Sequence, residues 1–206
     1  MKEKYNFKIT EDPNHIWFTS DTHFGHKNIL GFCSRPFNDI YTHDETLINN
    51  WNSVVGKNDL IFHLGDVGFE SPGYIREIIS RLNGRIVLIM GNHDWKNLNQ
   101  SILDLFHSTH QQLYVQINNR KVLMNHVPFL CYGGTYLRYE DRVWQLFGHV
   151  HSGPNVTKGR DIPRLDMLFK DCQYDVGVDN NQYRPISFKE LEEHFIIYKN
   201  YDNSGL

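Results

Sequence analysis

Five times along this chain a short apolar run stops at a side chain able to bind a metal ion. That recurrence constrains the fold more than any other feature. Ile16-Trp17-Phe18 leads to Asp21 and His23, and Leu60 to Leu64 leads to Gly65-Asp66. Ile86 to Met90 leads to Gly91-Asn92-His93-Asp94, and Val122-Leu123-Met124 leads to Asn125-His126. Val143 to Phe147 leads to Gly148-His149-Val150-His151. Each run has the length and the β-branched or aromatic content of a buried strand. In open sheets, ligands sit beyond the carboxyl ends of the strands. Five strands ending side by side would therefore gather these polar groups on one rim.

The intervening segments predict helices. Thr42-His43-Asp44-Glu45 reads as a capping box before Leu47, Trp51, Val54 and Val55, which share one helical face. Ser71-Pro72 opens a second helix with Ile75, Ile78, Ile79 and Leu82 on its apolar face, and Asn83-Gly84 stops it. Leu113 to Asn125 predicts a β-hairpin turning near Asn118-Asn119. Tyr174 to Val178 and Phe195 to Tyr198 read as further strands, and Ser187 with Glu190 as the cap of a short helix. The front alternates strand and helix, while the back is rich in strands. The fold class expected is α/β, with two packed mixed β-sheets flanked by helices in a single domain over residues 1–206, a size that supports one sizeable core.

Twelve histidines are many for this length. Asp21, His23, Asp66, Asn92, His126, His149 and His151 make a donor set of oxygen and nitrogen without sulfur. Such a set is too large for one tetrahedral ion. It suits two metals of higher coordination that share a carboxylate and leave positions open for water and substrate. These donors favour manganese, iron, zinc or cobalt over calcium.

The ordered set D-x-H, G-D, G-N-H-D, an isolated H and G-H-x-H resembles the calcineurin-like metallophosphoesterase family. Here it reads Asp21-Thr22-His23, Gly65-Asp66, Gly91-Asn92-His93-Asp94, His126 and Gly148-His149-Val150-His151. The resemblance implies a four-layer sandwich of two sheets and outer helices. It also implies a ligand split: Asp21, His23, Asp66 and His151 on one metal, Asp66, Asn92, His126 and His149 on the other, with Asp66 bridging. Manganese is the first choice of cofactor. His93 resembles the family's general acid, which protonates the departing oxygen after attack by a hydroxide that the metals activate. Asp94 would orient its ring. The stretch from Asp21 to Ile29, with the later Arg35-Pro36-Phe37, is similar to a small-protein branch of the family. It nominates His26 and Arg35 as contacts to the substrate phosphate. A helix N-cap for Asp94, a turn histidine for His26 and a surface arginine for Arg35 stand as alternatives.

The expected function is hydrolysis of a phosphate mono- or diester, a small diester or nucleotide-type substrate being favoured, with a nuclease of the same fold or a noncatalytic metal-binding scaffold as alternatives. The net charge of −3 carries no basic run and gives no strong nucleic-acid signal. Cys33, Cys131 and Cys172 are too scattered for a disulfide framework or a thiolate zinc site. No apolar stretch reaches the ~20 residues of a membrane span, and no secretory signal is apparent, so a cytoplasmic protein is expected. His15, His43, His63, His107, His110 and His194 read as structural, and the segment Asp175 to Asn181 is assigned no chemistry.

Overall fold

A computed structural model describes residues 7–130, 142–156 and 168–202. The described residues form two five-stranded sheets. The first runs in the order β10 (Ile186–Ser187), β2 (Ile16–Thr19), β3 (Leu60–His63), β4 (Arg85–Ile89) and β5 (Ser108–His110). Its strands are parallel except β10, which pairs antiparallel with β2. The second runs in the order β1 (Phe7–Lys8), β6 (Gln112–Ile117), β7 (Arg120–Asn125), β8 (Trp144–Phe147) and β9 (Gln173–Asp175). There β6 and β7 form the antiparallel hairpin, and β7, β8 and β9 run parallel. The hairpin turn falls on Asn118 and Asn119, both with positive φ (43° and 65°), as a two-residue turn matched to strand twist requires.

Period-two alternation decides which way each side chain faces. Ile16, Phe18, Leu60, Phe62, Val87 and Ile89 of the first sheet meet Leu113, Val115, Val122, Met124, Trp144 and Leu146 of the second in one buried core. The residues between them, Ile61, Ile86 and Leu88, face the other way into a second core. There they meet Leu47, Ile48 and Trp51 of α2 (Ile40–Val54), Ile75, Ile78 and Ile79 of α3 (Pro72–Arg81), and Ile102 of α5 (Gln100–Leu103), while the one-turn helices α1 (Ile29–Phe32) and α4 (Asp94–Asn97) follow the loops after β2 and β4. Each such aliphatic or aromatic side chain contributes roughly 1.5–3 kcal/mol on burial.

Two local expectations are corrected. The helix containing Thr42 begins earlier, at Ile40, because the Asp39 carboxylate accepts from the Thr42 N–H at 2.7 Å and serves as its N-cap. Phe195 to Tyr198 is not a strand: it lies within α6 (Phe188–Asp202). The capping box of Ser187 and Glu190 that opens this helix is present, with bonds of 2.8 and 3.1 Å. Phe188, Leu191 and Phe195, at helical spacing, enter the core, while Ile196 and Ile197 stay exposed. Helical periodicity over the longer window thus outweighs the local β-branched composition. Cys33 and Cys172 are buried free thiols, and Cys131 lies outside the described residues. Among the described residues no helix is long and apolar enough to cross a membrane.

Candidate metal centre

Strands β2, β3, β4, β7 and β8 all deliver their following loops to one rim, because the three belonging to the first sheet are mutually parallel, as are the two of the second. Backbone conformation does the fine aiming. Asp21, His23, Asp66, His149 and His151 all have left-handed φ values, between 49° and 71°. Each such residue costs about 1–3 kcal/mol, and the surrounding hydrogen bonds must hold it. Asp21 N–H donates to the Gly65 carbonyl at 2.9 Å and His23 N–H to the Asp66 carbonyl at 3.1 Å. The His149 N–H donates to Asp21 Oδ2 at 2.9 Å, tying the last loop to the first.

Two motif glycines are there for space. A Cβ on Gly91 would stand 2.3 Å from Asp66 Oδ1, and one on Gly148 would stand 2.1 Å from Ser20 Oγ and 2.3 Å from Asp21 Oδ2. The backbone at both points must pass directly over a carboxylate.

The side chains converge in two groups. Asp21, His23 and His151 form one set able to hold a cation, and Asp66, His126 and His149 a second; Cys33 and Asp179 gather behind the first around the shared His151. In the first, His23 Nε2 lies 3.9 Å from Asp21 Oδ1 and 3.3 Å from His151 Nε2, and His151 Nε2 lies 3.8 Å from Asp21 Oδ1. In the second, Asn92 Oδ1 is 2.9 Å from both His126 Nε2 and His149 Nδ1. Asp66 Oδ2 stands between the groups, 3.8 Å from His23 Nε2 and 3.5 Å from His126 Nε2. Donors bound to one ion at about 2.1 Å sit roughly 3.0–3.4 Å from their neighbours, so these separations are close to coordination edges. Asp21 Oδ1 is buried with no hydrogen-bond partner, a costly arrangement for a carboxylate unless a cation satisfies it. The residues therefore fit a pair of divalent ions.

The imidazoles are oriented for ligation. His126 donates from Nδ1 to the Leu64 carbonyl at 2.6 Å, which aims Nε2 into the site towards Asn92 Oδ1 and Asp66 Oδ2. His151 is held at Nδ1 by Asp179 Oδ2 at 2.8 Å, again leaving Nε2 to face the site. Burial opposes charge on both rings. For His126 the Asp66 hydrogen bond and the Asp21 and Asp66 charges outweigh it and raise the ring to about 9. For His151 the Asp21 charge and the Asp179 hydrogen bond raise it to about 11. The negative field that does this is one that also draws a divalent cation.

His93 is half exposed at the mouth of the site, its Nε2 3.9 Å from Asp66 Oδ2. Its backbone N–H donates to Asp66 Oδ1 at 3.0 Å, so the same residue helps fix the central carboxylate. Phe69, which sequence reasoning passed over, packs between three imidazoles: ring centroids are 4.0 Å from His26, 4.7 Å from His93 and 5.0 Å from His23. His26 is partly buried in this stack, and burial lowers its affinity for a proton.

Two expected roles are corrected. Asp94 does not orient the His93 ring. Its two oxygens accept the N–H groups of Asp66, Val67 and Gly91 at 2.8–2.9 Å, so it staples the loop after β4 to the loop after β3. Arg35 does not await a phosphate either. Its guanidinium is wholly buried and grips Asp179 with two bonds of 2.8 Å.

The sequence reading also missed Asp179, which lies in the segment given no chemistry. The available signal was a sixth run of the same kind: Tyr174 to Val178 likewise stops at an acidic residue, and β9 neighbours β8 on the same rim. His63, read as structural, is buried in a neutral state. Thr22 Oγ1 donates to the Val67 carbonyl, so His63 Nε2–H donates to Thr22 at 2.9 Å, while Nδ1 accepts from the Gly65 N–H at 3.2 Å. Burial lowers it to about 3.

Residues 15–190 match the family model for calcineurin-like phosphoesterase. The chain belongs to that family. It is 32% identical over 174 residues to the uncharacterized protein MJ1445 of Methanocaldococcus jannaschii, covering 84% of this chain and 86% of that one. It is 44% identical over 84 residues to the gene 66 protein of Mycobacterium phage L5, covering 39% of this chain and 40% of that one. Among solved structures, the Aquifex aeolicus protein AQ665, described as of unknown function, superposes with a TM-score of 0.63 at 24% identity. That match covers 86% of this chain and 97% of the other, and it bears on the fold alone.

Proposed function

We propose that this chain is a dinuclear-metal phosphoesterase that hydrolyses a phosphate mono- or diester, with a small diester or nucleotide-type substrate favoured. The observation that carries this reading is the placement of Asp66 Oδ2 between two groups of metal-binding side chains, 3.8 Å from His23 Nε2 and 3.5 Å from His126 Nε2. Asp21, His23, Asp66 and His151 would hold one ion, and Asp66, Asn92, His126 and His149 the other. Manganese is the first assignment, with iron, zinc and cobalt as alternatives. When bound, the two ions supply Lewis acidity towards the phosphoryl oxygens and activate water near neutral pH.

The chain's own residues complete the chemistry. Asn92 is a neutral ligand on the exposed side of the rim, next to His93. His93 stands at the open side, where a leaving oxygen would emerge, and delivers a proton to it from the ring. Its backbone hold on Asp66 keeps acid and metals in one frame. His26, stacked on Phe69, borders the same opening and contacts the substrate as a neutral ring.

The test is reconstitution. Metal-stripped protein is given manganese, zinc, iron or cobalt in turn and assayed on p-nitrophenyl phosphate and bis-p-nitrophenyl phosphate. Metal-dependent turnover is expected, and the ratio of the two rates reports mono- or diester preference. Two bound equivalents without turnover of either ester would overturn the catalytic reading.

A further inference from the structure

Arg35 sits at the centre of a buried polar chain that joins the metal rim to the outer helices. A guanidinium has five N–H donors, and here all five are engaged. Nε and Nη2 each donate to an Asp179 oxygen at 2.8 Å. Nη2 also donates to the Asp21 carbonyl at 2.7 Å, and Nη1 to the Thr22 carbonyl at 3.1 Å. The remaining Nη1 donor goes to His43 Nε2 at 2.8 Å. His43 then donates from Nδ1 to Asp44 Oδ1 at 2.6 Å. Asp44 Oδ2 accepts from the Tyr74 hydroxyl of α3 at 2.7 Å and from the Gly25 N–H at 2.8 Å.

The targets of Arg35 all belong to one half of the rim. The carbonyls of Asp21 and Thr22 define the turn in which Asp21 and His23 take left-handed φ values of 57° and 52°. Asp179, in turn, holds His151 Nδ1 at 2.8 Å and so points Nε2 into the site. No residue of the second group bonds to Arg35 or Asp179: His126 is oriented by the Leu64 carbonyl, Asn92 and His149 meet each other directly, and His149 reaches the first half by its backbone N–H on Asp21 Oδ2 at 2.9 Å.

We propose that Arg35 and Asp179 are positioning residues for one metal only, the ion held by Asp21, His23 and His151. This rests on the dinuclear reading above. Arg35 fixes the ligand-bearing turn by two carbonyls and fixes the His151 ring through Asp179, so three ligands depend on one guanidinium. The Arg35–Asp179 pair is neutral as a whole. It therefore directs ligands without adding charge to the site.

Metal binding, not turnover, is the readout. Wild type, Asp179→Asn, Arg35→Lys and Arg35→Met are stripped and titrated with manganese by calorimetry, and retained metal is counted after gel filtration. Asp179→Asn keeps the size of the side chain but loses the charge-assisted grip. Arg35→Lys keeps the charge but cannot span two carboxylate oxygens and two carbonyls. Both should bind one equivalent as wild type does and the other about 10–100-fold more weakly, the range for removal of an outer-shell partner. Arg35→Met should lose that equivalent outright if the chain stays folded by circular dichroism. If it unfolds, the two conservative variants decide the matter alone. Wild-type affinity for both equivalents in Asp179→Asn and Arg35→Lys would overturn the proposal. So would equal weakening of both, which is what a general structural role gives. A wild-type protein that binds fewer than two equivalents would instead refute the dinuclear reading on which the proposal rests.

Discussion

The two halves of the rim are built on different principles. In the deeper half Asp21 and His23 are buried and His151 is intermediate, and the charged pair of Arg35 and Asp179 backs them. The half containing Asn92, His126 and His149 is shallower on one side: His126 is buried and His149 is intermediate as His151 is, but Asn92 and the adjacent His93 are exposed. A single backbone carbonyl, that of Leu64, orients His126. Buried charge that is paired and hydrogen-bonded resists rearrangement, whereas exposed neutral ligands can exchange partners cheaply. On the dinuclear proposal, the deep half would anchor its ion and the exposed side of the shallow half would face the substrate. Asp66, between them, is the point where the comparison can be broken most severely.

Replacing Asp66 with asparagine should therefore disturb both halves together. Elemental analysis should find both metals reduced, and turnover should fall on the order of 10³-fold or more, the scale of removing central electrostatic stabilisation. Loss of only one metal would show that Asp66 belongs to one half. His93→Ala separates the shallow half's chemistry from its ligation. Metal content should stay near wild type, while esters with poor leaving groups slow by about 10²–10⁴-fold. Esters of p-nitrophenol, whose leaving group needs little protonation, should lose far less. An equal loss across leaving groups, or loss of metal, would count against His93 as the acid.

The same comparison explains what could be read in advance. That the side chains of Asp21, His23, Asp66, Asn92, His126, His149 and His151 would converge was legible because each follows a strand-like run, and strand direction carries them to one rim. The supports were harder to see. Arg35 and Asp179 are 144 positions apart and meet only in the fold. A guanidinium that matches a phosphate also matches a carboxylate, so residue type could not say which one Arg35 would hold. Asp94 follows the same logic: adjacency to His93 suggested a partner, but the backbone turns its carboxylate towards Gly91, Asp66 and Val67. In α6 the apolar residues Phe195 to Tyr198 taken alone could suit either element, and only Phe188 and Leu191 reveal the helical period.

Crowding around the deep half supplies a smaller test. The backbone at Gly148 passes so close to Ser20 and Asp21 that even a methyl group has no room. Gly148→Ala should cost about 1–3 kcal/mol of stability, as overpacking does. It should also displace Asp21, weakening the first metal more than the second. Thermal melts of the metal-free protein would measure the former and manganese titration the latter. A variant that melts as wild type does and binds both ions normally would mean that the strand ends separate more easily than their packing implies.

The smallest expected effect concerns His63, which lies beneath the rim and touches no substrate. Its ring is neutral in the fold and lowered to about 3 by burial, against an ordinary value of 6.5. Below that ordinary value the unfolded chain takes up a proton that the folded chain refuses, so acid favours unfolding. The contribution is absent well above pH 6.5 and grows as pH falls towards the folded value. For one such group, stability should drop by about 1.4 kcal/mol between pH 7.5 and 5.5. His63→Gln keeps an amide donor near the Nε2 position without a titrating ring. Denaturant melts in a chelator across this range should show the variant losing less stability than wild type by about that amount. Parallel curves for the two proteins would mean that His63 is charged in the fold. The bonds to Thr22 and Gly65 would then have to be redrawn, because an Nδ1 that carries a proton cannot accept from the Gly65 N–H.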